Sequence, residues 1–175
     1  MVSMSVISRL LALALLLCAP VPLATAEGDA QVIRDRLALT LAGAQLVLAA
    51  AQEKAVEMGL EVNIYVVDRG GHPVAFARMD GARPASSYTA LTKAATAALK
   101  LADTGPIGDD PLLNLAIENA ATTSGGKFTS LNGGIVIRID DQVVGGIGVG
   151  GATGEQDAEI ARAGLAALRQ SLAGE

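Results

Sequence analysis

The sequence is short of the residues that most often carry chemistry. It has one cysteine, one histidine, no tryptophan, two tyrosines and two phenylalanines. The cysteine, Cys18, lies in an N-terminal segment that reads as a leader. A chain without that leader has no disulfide, no thiolate metal site and no cysteine nucleophile. A single histidine, His72, excludes a multi-histidine metal centre and a histidine–cysteine dyad. Positive charge is also scarce: 13 basic residues stand against 18 acidic ones, a formal net charge of −5. An acidic chain with few aromatics and no basic stretch does not suit nucleic acid. Nor does it suit a helix lying on a membrane surface.

The leader has three parts. Arg9 supplies positive charge, residues 10–19 form an apolar run, and Ala24-Thr25-Ala26 offers a small-x-small cleavage site. The run of about ten residues is too short to span a bilayer. These features predict a signal peptide over 1–26, cleavage after Ala26, and a periplasmic or secreted product that is not held in the membrane. An uncleaved anchor is the alternative. A lipoprotein reading of Cys18 is weakened by Leu17, because the residue before a lipidated cysteine is small. Loss of Arg9 with the leader takes the net charge from −5 to −6. Residues 27–175 are then one domain, long enough to bury a core.

What is plentiful is alanine and glycine, with 20 glycines in all. Small side chains let helices, strands or subunits approach closely. Leu37, Leu41, Ala44, Leu48, Ala51, Ala55 and Met58 step by threes and fours, one apolar face of a helix. Thr40 is its expected N-cap, and Gly59 stands where a left-handed residue ends it. Residues 62–67 and 73–79 read as strands joined by a Gly70-Gly71 turn. A helix is expected from Ser86 to Leu101, and a short one over 112–121. Residues 135–139 and 143–149 read as a second hairpin. Thr153 and Gln156 have capping-box spacing at the start of a last helix, with Glu155 and Asp157 near its N-terminus. The order helix, hairpin, helices, hairpin, helix predicts an α+β domain. Its sheet should be mostly antiparallel, of four or five strands, with helix covering at least one face.

Two glycine motifs invite a nucleotide reading and do not sustain it. Gly146 to Gly151 matches the dinucleotide pattern G-x-G-x-x-G. Only 24 residues follow, too few for the helix, the next parallel strand and the acidic residue of that unit. A close-packed strand with a tight turn accounts for the glycines better. Gly125-Gly126-Lys127 resembles a phosphate loop, but Phe128 stands where a hydroxyl is needed.

His72 lies in or beside the first hairpin turn. It reads either as a solvated turn residue or as an axial ligand of haem iron. Met58, Met79, Tyr65 and Tyr88 are the other candidate donors. Thr89, Lys93, Thr96 and Lys100 form a polar stripe on one helix, either a solvated face or a source of charge. With Arg78 and Arg83, Lys93 would pair with ligand carboxylates.

Two blocks together carry a family resemblance. The first is Asp68-x-Gly70-Gly71, then Arg78-Met79-Asp80-Gly81-Ala82, then Lys93-Ala94 with Thr96-Ala97-Ala98. The second is Gly133-Gly134-Ile135, then Gly145 to Gly151, then Glu155-Gln156-Asp157. In this order they resemble the GlcG/HbpS-like haem-binding family, also called haem-degrading, which is related to the C-terminal domain of PduO. The resemblance spans roughly residues 38–170. It implies a profilin-like α/β/α fold, a homo-oligomer, and binding of haem or a related tetrapyrrole, with iron handling or redox sensing in some members. Gly150 departs from the serine that many members carry. On this basis His72 is the expected axial ligand, with Arg78, Arg83 and Lys93 as propionate partners and no catalytic residue assigned. The alternative is an enzyme or accessory protein acting on a small carboxylate metabolite, with Lys93, Arg78 and Asp80 in its site.

Overall fold

The computed structural model describes residues 36–174 apart from 107, 109 and 110. The expected leader, Cys18 and the cut after Ala26 lie outside the described residues. The order of elements is α1 (Leu41–Glu57), β1 (Asn63–Asp68), β2 (Pro73–Arg78), α2 (Ser86–Lys100), α3 (Pro111–Thr123), β3 (Gly134–Ile139), β4 (Gln142–Gly150) and α4 (Gly154–Ala173). The strands make one antiparallel sheet in the order β2-β1-β4-β3.

The two hairpins are therefore joined through their non-consecutive inner strands. Asn63 to Asp68 of β1 run against Gly150 to Gly145 of β4 without a break in register. The β3–β4 turn has two residues, Asp140 and Asp141, both at positive φ (45° and 60°). That is the primed turn whose twist matches the flanking strands.

Both faces of the sheet are covered by helix. On one side Ile64, Val66, Ile135, Ile137, Ile147 and Val149 bury against Ala44, Val47, Ala51 and Ala55 of α1 and Ile160, Ala161, Leu165 and Leu168 of α4. On the other side α2 lies on β4 almost without intervening side chains. A Cβ at Gly146 or Gly148 would meet the backbone of Ala94, and at Gly148 also that of Ala90. Val67, Ala94 and Ala98 complete this thinner core, with Tyr65 and Leu91 packed against it. The glycines read from the sequence as a close-packed strand are so used.

The helix ends follow the expected chemistry. Thr40 caps α1 by accepting from the N–H of Gly43 at 3.1 Å, and Gly59 follows at φ 65°. Thr153 and Gln156 form the reciprocal capping box of α4. The predicted α1 stripe needs one correction. Ala44, Val47, Ala51 and Ala55 are buried and Leu48 and Met58 are half-buried against the core, but Leu37 and Leu41 lie on the surface. Leu37 precedes the helix, where its N–H donates to Gln142 Oε1 at 3.2 Å, so helical periodicity no longer sets its direction. No side chain of α3 is buried. Among the described residues, no helix is long and apolar enough to cross a membrane.

Candidate functional site

The four residues singled out from the sequence lie in three depressions. His72 belongs to the β1–β2 turn. Asp68 Oδ1 accepts the backbone N–H of His72 at 2.9 Å, and the His72 Nδ1 lies 3.4 Å from the same oxygen. At that distance the carboxylate is a neighbour of the ring, and the hydrogen bond that fixes the turn is the one to the His72 backbone. The His72 side chain is 71% exposed. Gly71, at φ 78°, lets the turn lie against Ala95 and Leu99 of α2, where a Cβ would have contacts of 3.3–3.4 Å.

The turn and α2 enclose a mostly apolar groove of about 400 Å3. Gly71, His72 and Pro73 form one wall, Tyr88, Leu91, Thr92 and Ala95 a second, and Gly125, Gly126 and Lys127 a third. Thr96 holds the third wall in place. Its hydroxyl donates to the Lys127 carbonyl at 3.1 Å and accepts the N–H of Thr129 at 2.9 Å. Glycine at 125 and 126 takes positive φ, which lets the chain turn there.

Arg83 and Lys93 line a different cleft, of about 370 Å3, between the start of α2 and the start of α4. Lys93 is 4% exposed. Its Nζ donates to Asp157 Oδ2 at 2.7 Å and to the Val149 carbonyl at 2.9 Å. Asp157 Oδ1 accepts the N–H of Ala152 at 3.2 Å. Burial pushes the Asp157 carboxyl above its ordinary range, with the hydrogen bond and charge of Lys93 pulling the other way. Glycine makes room for the pair: a Cβ at Gly133 would fall 2.6 Å from the Asp157 Cβ and 3.0 Å from the Lys93 Nζ. Arg83 is exposed, and its Nη2 donates to the Gly151 carbonyl at 3.3 Å. The Arg83 carbonyl accepts from Asn63 Nδ2 at 3.0 Å, which ties this loop to β1.

Arg78 lines a third depression with Asp80, Glu61 and Gln52. The set Lys93, Arg78 and Asp80 is thus not brought to one pocket, and neither are His72 and the three cations. Of the polar stripe on α2, Lys93 and Thr96 are buried rather than solvated. Sequence reasoning did not find Asp157 as the partner of Lys93. It set aside Lys127, which sits at the groove beside His72. The signal for the first was a lysine inside an alanine-rich helical run, Lys93-Ala94-Ala95-Thr96-Ala97-Ala98, which is buried helix rather than surface. No cluster of three metal-ligating side chains is found among the described residues.

A single antiparallel sheet between helical layers, with two separate grooves lined by the N-terminal two-thirds of α2, defines a small α+β domain. Its sequence places it further. Residues 39–166 match the family described as haem degrading protein HbpS-like, and the chain belongs to that family. It is 37% identical over 117 residues to Protein GlcG of Escherichia coli K12, which covers 67% of this chain and 84% of that protein. Among solved structures, a double mutant of HbpS from Streptomyces reticuli has a TM-score of 0.65 at 34% identity. That match covers 85% of this chain and 97% of that one. A PduOC:heme complex has a TM-score of 0.67 at 30% identity, covering 75% of this chain and 95% of that one.

Proposed function

We propose that this protein binds haem in the groove between the β1–β2 turn and α2, with His72 as axial ligand. The observation that carries the reading is the pairing of His72 with Asp68 at the mouth of an apolar groove. A macrocycle needs apolar walls, an axial donor and cations at the rim. Leu91, Ala95 and Pro73 supply the walls, His72 the donor, and Lys127 the cation. Lys127 stands at this rim in the place that the sequence reading gave to Arg78, Arg83 and Lys93. Membership of the HbpS-like family and the likeness to a PduOC:heme complex support the ligand class. When bound, the haem would bring a redox-active iron. The chain's own residues hold it and limit its exposure to water.

The test is a hemin titration followed through the Soret band. Wild type shifts the band and saturates. His72→Ala is expected to change the band position or lower the affinity, whereas Lys127→Ala lowers affinity with the band position unchanged. No shift with wild type would remove haem as the ligand. A His72→Ala spectrum and affinity identical to wild type would remove His72.

The same reading includes export to the periplasm or beyond the cell after loss of residues 1–26, and a role in iron or haem handling or in redox sensing. It also includes a homo-oligomer. Leu115 of α3 and Leu37, Leu41 and Leu172 at the ends of α1 and α4 are apolar and at least 41% exposed. A second copy of the chain would cover such surface. Light scattering at micromolar concentration is expected to give at least a dimer mass.

A further inference from the structure

We propose that the cleft of Arg83, Lys93 and Asp157 is a second ligand site, specific for a small monocarboxylate. It stands apart from the haem reading, because it shares no lining residue with the His72 groove.

The charges that line the cleft are Arg83, Lys93 and Asp157, a net of one positive charge. The negative member is already engaged. Asp157 accepts from Lys93 through one oxygen and from the Ala152 amide through the other. The positive members are not exhausted. An ammonium has three hydrogens, and Lys93 directs them at two acceptors among the described residues, Val149 and Asp157. A guanidinium has five, and one Nη of Arg83 is engaged with Gly151. A buried ammonium with a hydrogen to give and a planar fork at the rim are the two donors that a carboxylate takes, the fork by two parallel bonds. Asn132 adds a neutral donor. Its Oδ1 accepts the N–H of Gly133 at 2.9 Å, so the amide oxygen is engaged with the chain and the Nδ2 hydrogens are not needed for that contact.

Asp157 also sets the charge of the ligand. A monoanion completes a neutral cluster with Arg83, Lys93 and Asp157. A dianion such as the hydrogenphosphate ion would bring its second charge against Asp157. The cleft is close in volume to the His72 groove but differs in its walls: the charged and polar side chains of Arg83, Lys93, Asn132 and Asp157 line it where a macrocycle needs apolar faces.

The experiment is an amide NMR titration of 15N-labelled protein with sodium lactate, lactamide and inorganic phosphate. Lactate is expected to give saturable shifts at Gly133, Gly151 and Ala152. Lactamide, the same molecule without the charge, is expected to give none, and phosphate to bind at least tenfold more weakly than lactate. Arg83→Gln, an exposed substitution, is expected to weaken lactate at least tenfold while the rest of the spectrum stays in place. His72→Ala is expected to leave lactate binding unchanged, which separates this site from the haem groove. No saturable shift with lactate, equal shifts with lactamide, phosphate binding as tight as lactate, or an unaffected Arg83→Gln would each overturn the proposal.

Discussion

The Lys93 ammonium and the Asp157 carboxylate meet at 2.7 Å with both side chains almost wholly buried, 6% and 2% exposed. They join α2 to the start of α4 across the end of β4. Removing one partner of such a pair leaves an uncompensated buried charge, which costs about 3–5 kcal/mol. Replacing both with apolar groups is often close to neutral.

Lys93→Met and Asp157→Leu should each lower stability by about 3 kcal/mol or more. The double variant should lose much less than the two losses added together. Chemical denaturation of the four proteins in a double-mutant cycle measures this. Simple addition of the two losses would show that the pair is not a unit.

The titration of Asp157 has a defined sign. Burial raises its carboxyl above the ordinary 3.8. In the window from 3.8 up to the raised value, the native state binds more protons at this site than the unfolded chain does. The contribution of this group to stability is therefore fully present below 3.8 and is lost as the pH rises through the native value. A carboxyl 13C titration of the native protein should give a midpoint above 3.8 for Asp157. A midpoint at or below it would mean that Lys93 outweighs burial.

Gly148 faces α2 where the helix backbone itself is the neighbour. A Cβ would meet the Ala90 carbonyl and the Ala94 amide, and backbone cannot rotate aside as a side chain can. Gly148→Val should lower the melting temperature, with an overpacking cost of roughly 1–3 kcal/mol or more. Calorimetry with NAD or ATP should show no tight binding by wild type, because these glycines serve packing. Tight binding of either nucleotide would revive the dinucleotide reading.

Export is checked by mass. Material recovered outside the cytoplasm should have the mass of residues 27–175. A mass that retains residues 1–26 would reject cleavage after Ala26.

The elements were legible because they follow local rules. Thr40 and Gly59 bracket α1, and Thr153 with Gln156 opens α4, as capping chemistry requires. The two hairpins could be read from β-branched runs and turn residues. The grouping of the site was not legible, because it depends on which strands meet. Lys93 and Asp157 are 64 residues apart. They come together only because β1 pairs with β4 and α2 then lies across β4. Arg78 and Arg83 are five positions apart, yet the chain turns at Gly81, φ 83°, and delivers them to different depressions. Proximity in sequence misled there, and helical spacing alone could not tell that Lys93 and Thr96 of the polar stripe on α2 are buried and not on a solvated face.

The bare glycine face of β4 bears on how the molecule assembles itself. Glycine in a strand loses more backbone freedom than other residues and offers no side chain to its neighbours, a handicap of roughly 0.5–1 kcal/mol at each position. Gly146, Gly148 and Gly150 place that handicap in an inner strand, the one that pairs with both β1 and β3. Such a strand has little reason to form before the backbone of α2 lies on it. Helix docking and strand pairing therefore belong to one cooperative event, which must close a chain segment reaching from Ser86 to Gly150. Closures of that span are slow compared with local helix formation. The docking of α2 and the joining of the two hairpins are then one event.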